Sequence, residues 1–482
     1  MTATPDVHTP DSFSGTGTIR NPATGDVAGE VRWTDPADVA HIAAGLRAAQ
    51  TEWAARGAKG RAKVLARYAV WLGEHRDEIE RLLIAETGKS AVDASQEVPL
   101  IIMIASYYIK TMEQALAPET RPAALPFMAI KKIAVHYRPR PVVGIIAPWN
   151  YPVANALMDA IGALAAGCAV LLKPSERTPL TAELLLRGWL ESGAPEVLAL
   201  AQGAREVAEA VIDASDFIQF TGSSATGAKV MERAARRLTP VSLELGGKDP
   251  MIVLEDADMH LAINGIVGGI FPATGQSCIS GSRILVQRNQ LETLSERLVK
   301  VATRAKVGDP QDPSTQVGPI ANRPHYEKVN RDIENALADG ASLLLDGRGK
   351  GPDKGYYIGP TIFTGVTNEA TLAQEEIFGP VVVVIPYDDE DEALRIANDT
   401  IYGLAAGIWT RDVNKAIRMA DQIQAGTVYI NNYFNAATQS PVGGFKQSGY
   451  GRENGFEGMR CFMQAKSVWL ATNPDQPDPF PE

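Results

Sequence analysis

From Pro141 onward the chain alternates short apolar runs with longer amphipathic stretches. Val142–Ala147, Ala169–Lys173, Val197–Ala201 and Phe217–Phe220 are nearly continuous in apolar residues, the pattern of strands buried on both faces. Between them Val153–Ala165, Thr181–Ser192, Arg205–Ala214 and Ser223–Arg237 carry apolar residues at helical spacing. This alternation predicts a parallel sheet covered on both sides by helices, an α/β unit. A second α/β block follows. Its helices are expected near Leu291–Lys306, His325–Asp339, Glu390–Asn398 and Val413–Ile423, and its strands near Val381–Pro386 and Thr427–Ile430. Ahead of Pro141 the pattern is helical, over Pro36–Arg56, Lys59–Thr87 and Glu97–Gln114, with Asp35 as a start signal and Gly88 as a stop. Ala123–Arg140 instead alternates and reads as a pair of strands or a hairpin, at a sheet edge or between subunits.

One stretch, Val153–Leu172, is long and apolar enough to suggest a membrane helix. Asn155, Asp159, Gly162 and Gly167 interrupt it, so a buried helix followed by a buried strand is the better expectation. With 482 residues the chain exceeds one ordinary core, and two or three domains are expected. A net charge of −11 argues against nucleic acid or an anionic membrane as partner. The three cysteines, Cys168, Cys278 and Cys461, are too few and scattered for a disulfide framework and lack zinc-site spacing. No metal is expected, and a reducing, cytoplasmic compartment is. The proline-rich acidic end, NPDQPDPFPE, reads as an extended tail.

Candidate chemistry sits in the loops that follow the strands, where parallel sheets bind ligands. Cys278 lies among small, uncharged neighbours in IFPATGQSCISGSR, as an approachable nucleophile or as an ordinary small buried residue. Asn150 in PWNYP is held between two prolines, a fixed N–H₂ donor for an oxyanion or a structural turn residue. Glu244 in LELGGK is a half-buried carboxylate suited to general-base work, or one arm of an ion pair with Lys248 or another cation. Phe220-Thr221-Gly222-Ser223, with Gly227 beyond, ends a strand and opens a helix. It is a diphosphate site or a plain N-capped helix with Ser223 as the cap. Lys173 and Glu176 in KPSE can hold a ribose, Glu176 favouring NAD over NADP, or form a solvated turn.

PWNYP, KPSE, FTGS, LELGGK, GQSC, EEIFGP and PVGGFKQSGYGRE together resemble the aldehyde dehydrogenase superfamily, in the family's order and over nearly the whole chain. The resemblance implies a Rossmann-like parallel-sheet cofactor domain (1–122 and 141–246), a second α/β catalytic domain (247–455), and a small β oligomerisation segment with the C-terminal tail (123–140 and 456–482). It implies NAD-dependent oxidation of an aldehyde to an acid through a thiohemiacetal and thioester on Cys278. Asn150 and the Cys278 N–H would hold the oxyanion, and Glu244 would activate the hydrolytic water. Trp149, Lys173, Ser175, Glu176, Phe220, Gly222, Ser223, Gly227, Leu245 and Gly246 would contact the cofactor, with Glu376 and Phe378 at the nicotinamide ribose. Glu453 matches a position assigned to proton relay.

By position the aldehyde tunnel comprises Tyr151, Asn155, Met158, Ser277, Ile279, Phe434, Asn435 and Ala436. Relatives that take a carboxylate substrate tend to place arginine where Met158 stands, and those that take aminoaldehydes tend to carry acids near Leu100. The resemblance therefore implies a neutral aliphatic or aromatic aldehyde, with a tunnel widened at Ala436. Rival readings are a CoA-acylating relative, against which Glu244 argues, and a scaffold member, which would have lost Cys278, Glu244 or Asn150. A cysteine hydrolase would need a histidine partner, and none of the six histidines lies in a recognisable motif. A homodimer or homotetramer is implied, through Ala123–Arg140 and Phe462–Leu470.

Overall fold

The computed structural model describes residues 15–122, 124, 131–435, 437–472 and 480. Two sheets dominate it. The first has six strands in the order Gly449–Tyr450, Val241–Glu244, Phe217–Thr221, Val142–Ile146, Ala169–Lys173, Leu198–Leu200. All neighbours are parallel except the edge strand Gly449–Tyr450, which runs antiparallel to Val241–Glu244. That strand comes from residues expected in the second unit. Every residue of Val142–Ile146 and Ala169–Lys173 is buried, as continuous apolar strands require.

The suspected membrane stretch is the helix Pro152–Ala166 followed by the strand Ala169–Lys173. Pro152 starts the helix where no N–H is needed, and Gly167 stops it with φ of +101°. Only Asn155 and Met158 escape full burial along it, so its apolar composition reflects the core. No helix among the described residues is long and apolar enough to cross a membrane.

The second sheet has seven strands: Ser342–Leu345, Thr361–Thr364, Val381–Tyr387, Arg283–Gln287, Pro250–Val253, Ala405–Trp409 and Thr427–Ile430. All are parallel but Ser342–Leu345. The segment Leu245–Asp249 leaves the carboxyl end of the first sheet and enters the amino end of the second. Loops from opposite strand ends therefore converge at one junction.

Two expectations need correction. Lys59–Thr87 is not one helix but two, Gly57–Glu74 and Arg76–Thr87, broken at His75. The His75 ring stacks on Trp71 at 3.9 Å and its Nδ1 lies 3.0 Å from the Trp71 carbonyl, an interruption that leaves the apolar periodicity intact. Residues 123 and 125–130 of the expected hairpin lie outside the described residues. The remainder is one nine-residue strand, Lys131–Pro139. It is the middle strand of an antiparallel sheet, between Met463–Ala471 and Glu119–Arg121, rather than an edge.

Candidate active site

The cysteine loop is built on unusual backbone. After the helix Met259–Ile270, Ala273 (φ 50°), Thr274 (φ 60°) and Gly275 (φ 69°) are all left-handed. Side chains rarely tolerate this, so the neighbourhood must impose it. Ala273 N–H donates to Asp93 Oδ2 at 2.9 Å, and Thr274 Oγ1 to the Gly318 carbonyl at 3.1 Å. Gly275 is required twice, for its φ and because a Cβ would meet the Gly379 carbonyl. Gln276 then fastens the loop, accepting from Ala321 N–H at 2.9 Å and donating to the Ala273 carbonyl at 3.0 Å.

Cys278 follows, half-buried and free. Burial pushes its thiol well up, and the carboxyl groups of Glu376, Asp249, Glu244 and Glu453 add to the effect. Among the described residues its N–H donates to no other group. Asn150, 5% exposed, donates one amide hydrogen to the Gln276 carbonyl at 2.9 Å and accepts from Asn155 at 3.2 Å. The bond to Gln276 uses one of its two amide hydrogens and ties it to the loop that carries Cys278.

Glu244 ends its strand and is buried, with Oε1 lacking any hydrogen-bond partner. Burial pushes its carboxyl well above the usual range; Glu453 and Asp159 push the same way and Arg452 opposes them. The alternative of an ion pair with Lys248 is not what the structure forms. Lys248 is buried and pushed down to about 7, first by burial and then by Arg283. Gly247 lets the chain pass: a Cβ there would lie 2.6 Å from the Cys278 carbonyl oxygen.

A cavity of about 820 Å³ opens at the carboxyl ends of the first sheet, lined by Trp149, Lys173, Ser175, Glu176, Phe220, Gly222 and Ser223 among others. Ser223 caps the helix Ser224–Ala235, accepting from Thr226 N–H at 3.3 Å, so the helix start faces this cavity. Gly222 has no room for a Cβ, which would lie 2.6 Å from the Phe220 ring. Gly227 makes way for Leu245 in the same manner. Lys173 and Glu176 are paired at 3.3 Å in the cavity wall. Burial works against the Glu176 charge, but Lys173, a backbone N–H and Arg177 together hold its carboxyl below the usual range.

At the junction end, Glu376 accepts from Gly247 N–H at 3.2 Å, and a Cβ on Gly246 would collide with its carboxyl group. Burial raises Glu376 to about 7, against Gly247, Lys248 and Lys328. Phe378 is left-handed (φ 62°), and its carbonyl accepts from His325 Nε2 at 2.6 Å. A carbonyl cannot donate, so this bond fixes the tautomer with hydrogen on Nε2. Trp149, His325 and Phe378 form a ring cluster with centroids 5.6–5.8 Å apart. His325 and Gln276 were not among the expected site residues. A histidine in an unremarkable helix gave no signal, whereas Gln276, beside the cysteine in GQSC, was readable by adjacency.

The residues expected in the tunnel have the following surroundings. Tyr151 is hydrogen-bonded to Ser277 and carries the Lys89 ammonium 3.5 Å over its ring. Asn155 serves Asn150, and Ile279 and Phe434 pack in one apolar cluster. Met158 packs against the first core, and Asn435 is exposed, bonded to Asn432. Ala436 lies outside the described residues.

The model of the aldehyde dehydrogenase family matches residues 10–468. The chain belongs to this family. As a member of the aldehyde dehydrogenase family it is an oxidoreductase acting on aldehydes. The betaine aldehyde dehydrogenase of Brucella anthropi is 38% identical over 458 residues, covering 93% of this chain and 92% of that protein. The Vibrio vulnificus betaine aldehyde dehydrogenase is 36% identical, covering 93% of each. Among solved structures, an NAD+ complex of a Bacillus cereus aldehyde dehydrogenase superposes with a TM-score of 0.91 at 36% identity, covering 95% of this chain and 94% of that one. Staphylococcus aureus betaine aldehyde dehydrogenase with NAD+ gives 0.92 at 33%, covering 97% and 94%.

Proposed function

We propose that the protein oxidises an aldehyde to its carboxylic acid with NAD, the first sheet carrying the cofactor and the second the nucleophile. The meeting of Cys278, Asn150 and Glu244 at the junction of the two sheets supports this reading. The cavity fits a dinucleotide: an open helix start for the diphosphate, glycines where side chains would collide, and the Lys173–Glu176 pair for a ribose. Trp149, Ser223, Glu376 and Phe378 would hold the remainder, and the Glu176 carboxylate repels a 2′-phosphate. Bound there, NAD supplies the hydride acceptor that turns the cysteine adduct into a thioester.

The chain's own residues do the rest. Cys278 gives its thiol proton to solvent, and its sulfur bonds to the carbonyl carbon as the carbonyl π bond breaks and its oxygen becomes an oxyanion. The second amide hydrogen of Asn150 and the Cys278 N–H would hold that charge. For hydrolysis Glu244 takes a proton from water, the water oxygen bonds to the acyl carbon, and the carbon–sulfur bond breaks to return the cysteine. Burial raises the Glu244 carboxyl, which makes its ionised form a stronger base. Exposed Val468, Trp469 and Leu470 on the outer strand Met463–Ala471 support assembly into a homodimer or homotetramer.

For substrate, a neutral aldehyde is favoured, because one face of Tyr151 is already occupied by the Lys89 ammonium. The named relatives favour a second reading, betaine aldehyde. A panel of aliphatic, aromatic and betaine aldehydes with NAD, NADP, and NAD plus CoA tests both. NADH from neutral aldehydes, with the free acid as product, is expected. Production of acyl-CoA, or preference for betaine aldehyde, would overturn the corresponding part.

A further inference from the structure

Behind Glu244 lies a second group of acids. Strand register sets Gln219 opposite Ser242 and Thr221 opposite Glu244, so Gln219, Ser242 and Glu244 leave the same face of the sheet. Asp159 descends onto that face from the helix Pro152–Ala166. Glu453 arrives on a segment paired with Val442, through two backbone hydrogen bonds of 2.8 Å. That segment fits because it is glycine-rich: a Cβ on Gly443 would lie 2.9 Å from Glu244 Oε1, and one on Gly451 would collide with Ser242. Asp159, Gln219 and Glu453 are at most 5% exposed.

The hydrogen bonds constrain the protonation. Gln219 Nε2 donates to Glu453 Oε1 at 2.5 Å, and Asp159 is hydrogen-bonded to Glu453 as well. Two carboxyl groups can be so bonded only if at least one of them holds a proton. Glu453 already accepts the amide hydrogen, which suits the ionised member; Asp159 then donates. We propose that Asp159 and Glu453 form an acid–carboxylate pair holding one proton, with Asp159 the positioning residue that keeps Glu453 anionic and so sets the pH at which Glu244 ionises. This rests on Glu244 being the general base.

The surroundings leave the charge of the pair uncompensated. Tyr108 from the helix Glu97–Ala115 and Cys461 from Gly455–Cys461 face it, both kept neutral by burial, and Cys278 lies within its field. Arg452 is the cation that opposes these charges at Glu244, but its Nη1 is engaged with the Gly444 and Gly451 carbonyls. Glu244 Oε1 has no hydrogen-bond partner, so the pair acts on it through charge. Like charge opposes ionisation, as burial also does.

The test is the pH profile of steady-state turnover, with the single-turnover NADH burst measured alongside. Glu453→Gln removes the charge and is expected to move the acidic limb down by about one pH unit, a roughly tenfold gain on that limb. Asp159→Leu strips Glu453 of its donor, so the buried carboxyl takes up the proton itself and the limb moves the same way. Asp159→Asn still donates to Glu453 and is expected to keep the limb at its original pH. Circular dichroism and the burst amplitude establish that each variant is folded and competent in the first half-reaction. A limb that stays in place in Glu453→Gln or Asp159→Leu, or that Asp159→Asn displaces as Asp159→Leu does, overturns the pair. Glu244→Gln separates the two levels. Retained turnover there sinks the general-base reading, whereas arrest after one burst, with an unmoved limb in Glu453→Gln, sinks the pair alone.

Discussion

Asn150 and Gln276 are joined by a 2.9 Å hydrogen bond from side-chain amide to main-chain carbonyl, two residues ahead of Cys278. The bond ties a loop of the first sheet to the cysteine loop of the second, so the proposed oxyanion donor and nucleophile are set by one contact. Asn150→Ala is expected to lower kcat by about 10²–10³-fold, the usual cost of one oxyanion donor, with KM changing far less. Steady-state kinetics with a saturating aldehyde check it.

Cys278→Ala removes the sulfur proposed to bond the carbonyl carbon. NADH formation is expected to vanish while NAD still binds, since none of the cavity residues is altered. Fluorescence titration with NAD distinguishes this from misfolding. Unchanged NADH formation would remove the cysteine from the chemistry.

Gly247→Ala would put a methyl group 2.6 Å from the Cys278 carbonyl oxygen, a backbone atom that cannot swing aside. Stability is expected to fall by about 1–3 kcal/mol, the range for overpacking, and activity with it as the cysteine loop shifts. Denaturant melts and turnover measured together should both respond.

His325 offers a pH test. Burial lowers it to about 4 from 6.5, against the hydrogen bond to Phe378 that favours its charge. Between those values the unfolded chain binds more protons than the folded one, so this contribution to stability rises with pH from about 4 and is complete above about 6.5. His325→Gln is expected to flatten the slope of unfolding free energy over that window. Melts at pH 5 and pH 7 in both proteins check it, and an identical slope would contradict it.

Much of this was legible in the sequence because its signals were local. Apolar runs marked the parallel strands, and the loops after Ile146, Lys173, Thr221 and Glu244 stand at one end of one sheet, as the alternation required. What escaped depended on distance along the chain. Nothing near Asp159 or Gln219 announces Glu453, far along the sequence, and no periodicity reveals that His75 interrupts a helix by stacking on Trp71. Likewise Gly449–Tyr450 is too short to register as a strand, and only tertiary pairing makes it one.

That short strand has a consequence for the timing of synthesis. It closes the sheet edge beside Glu244, and Ser448 just before it accepts the Leu245 N–H at 2.9 Å. On the ribosome these partners emerge about 200 residues after Glu244, a wait of roughly 10–40 s at 5–20 residues per second. Through that interval the strand carrying Glu244 has an open edge, which a chaperone can cover and another nascent chain can pair with. The edge closes late, after the last strand of the second sheet has been made.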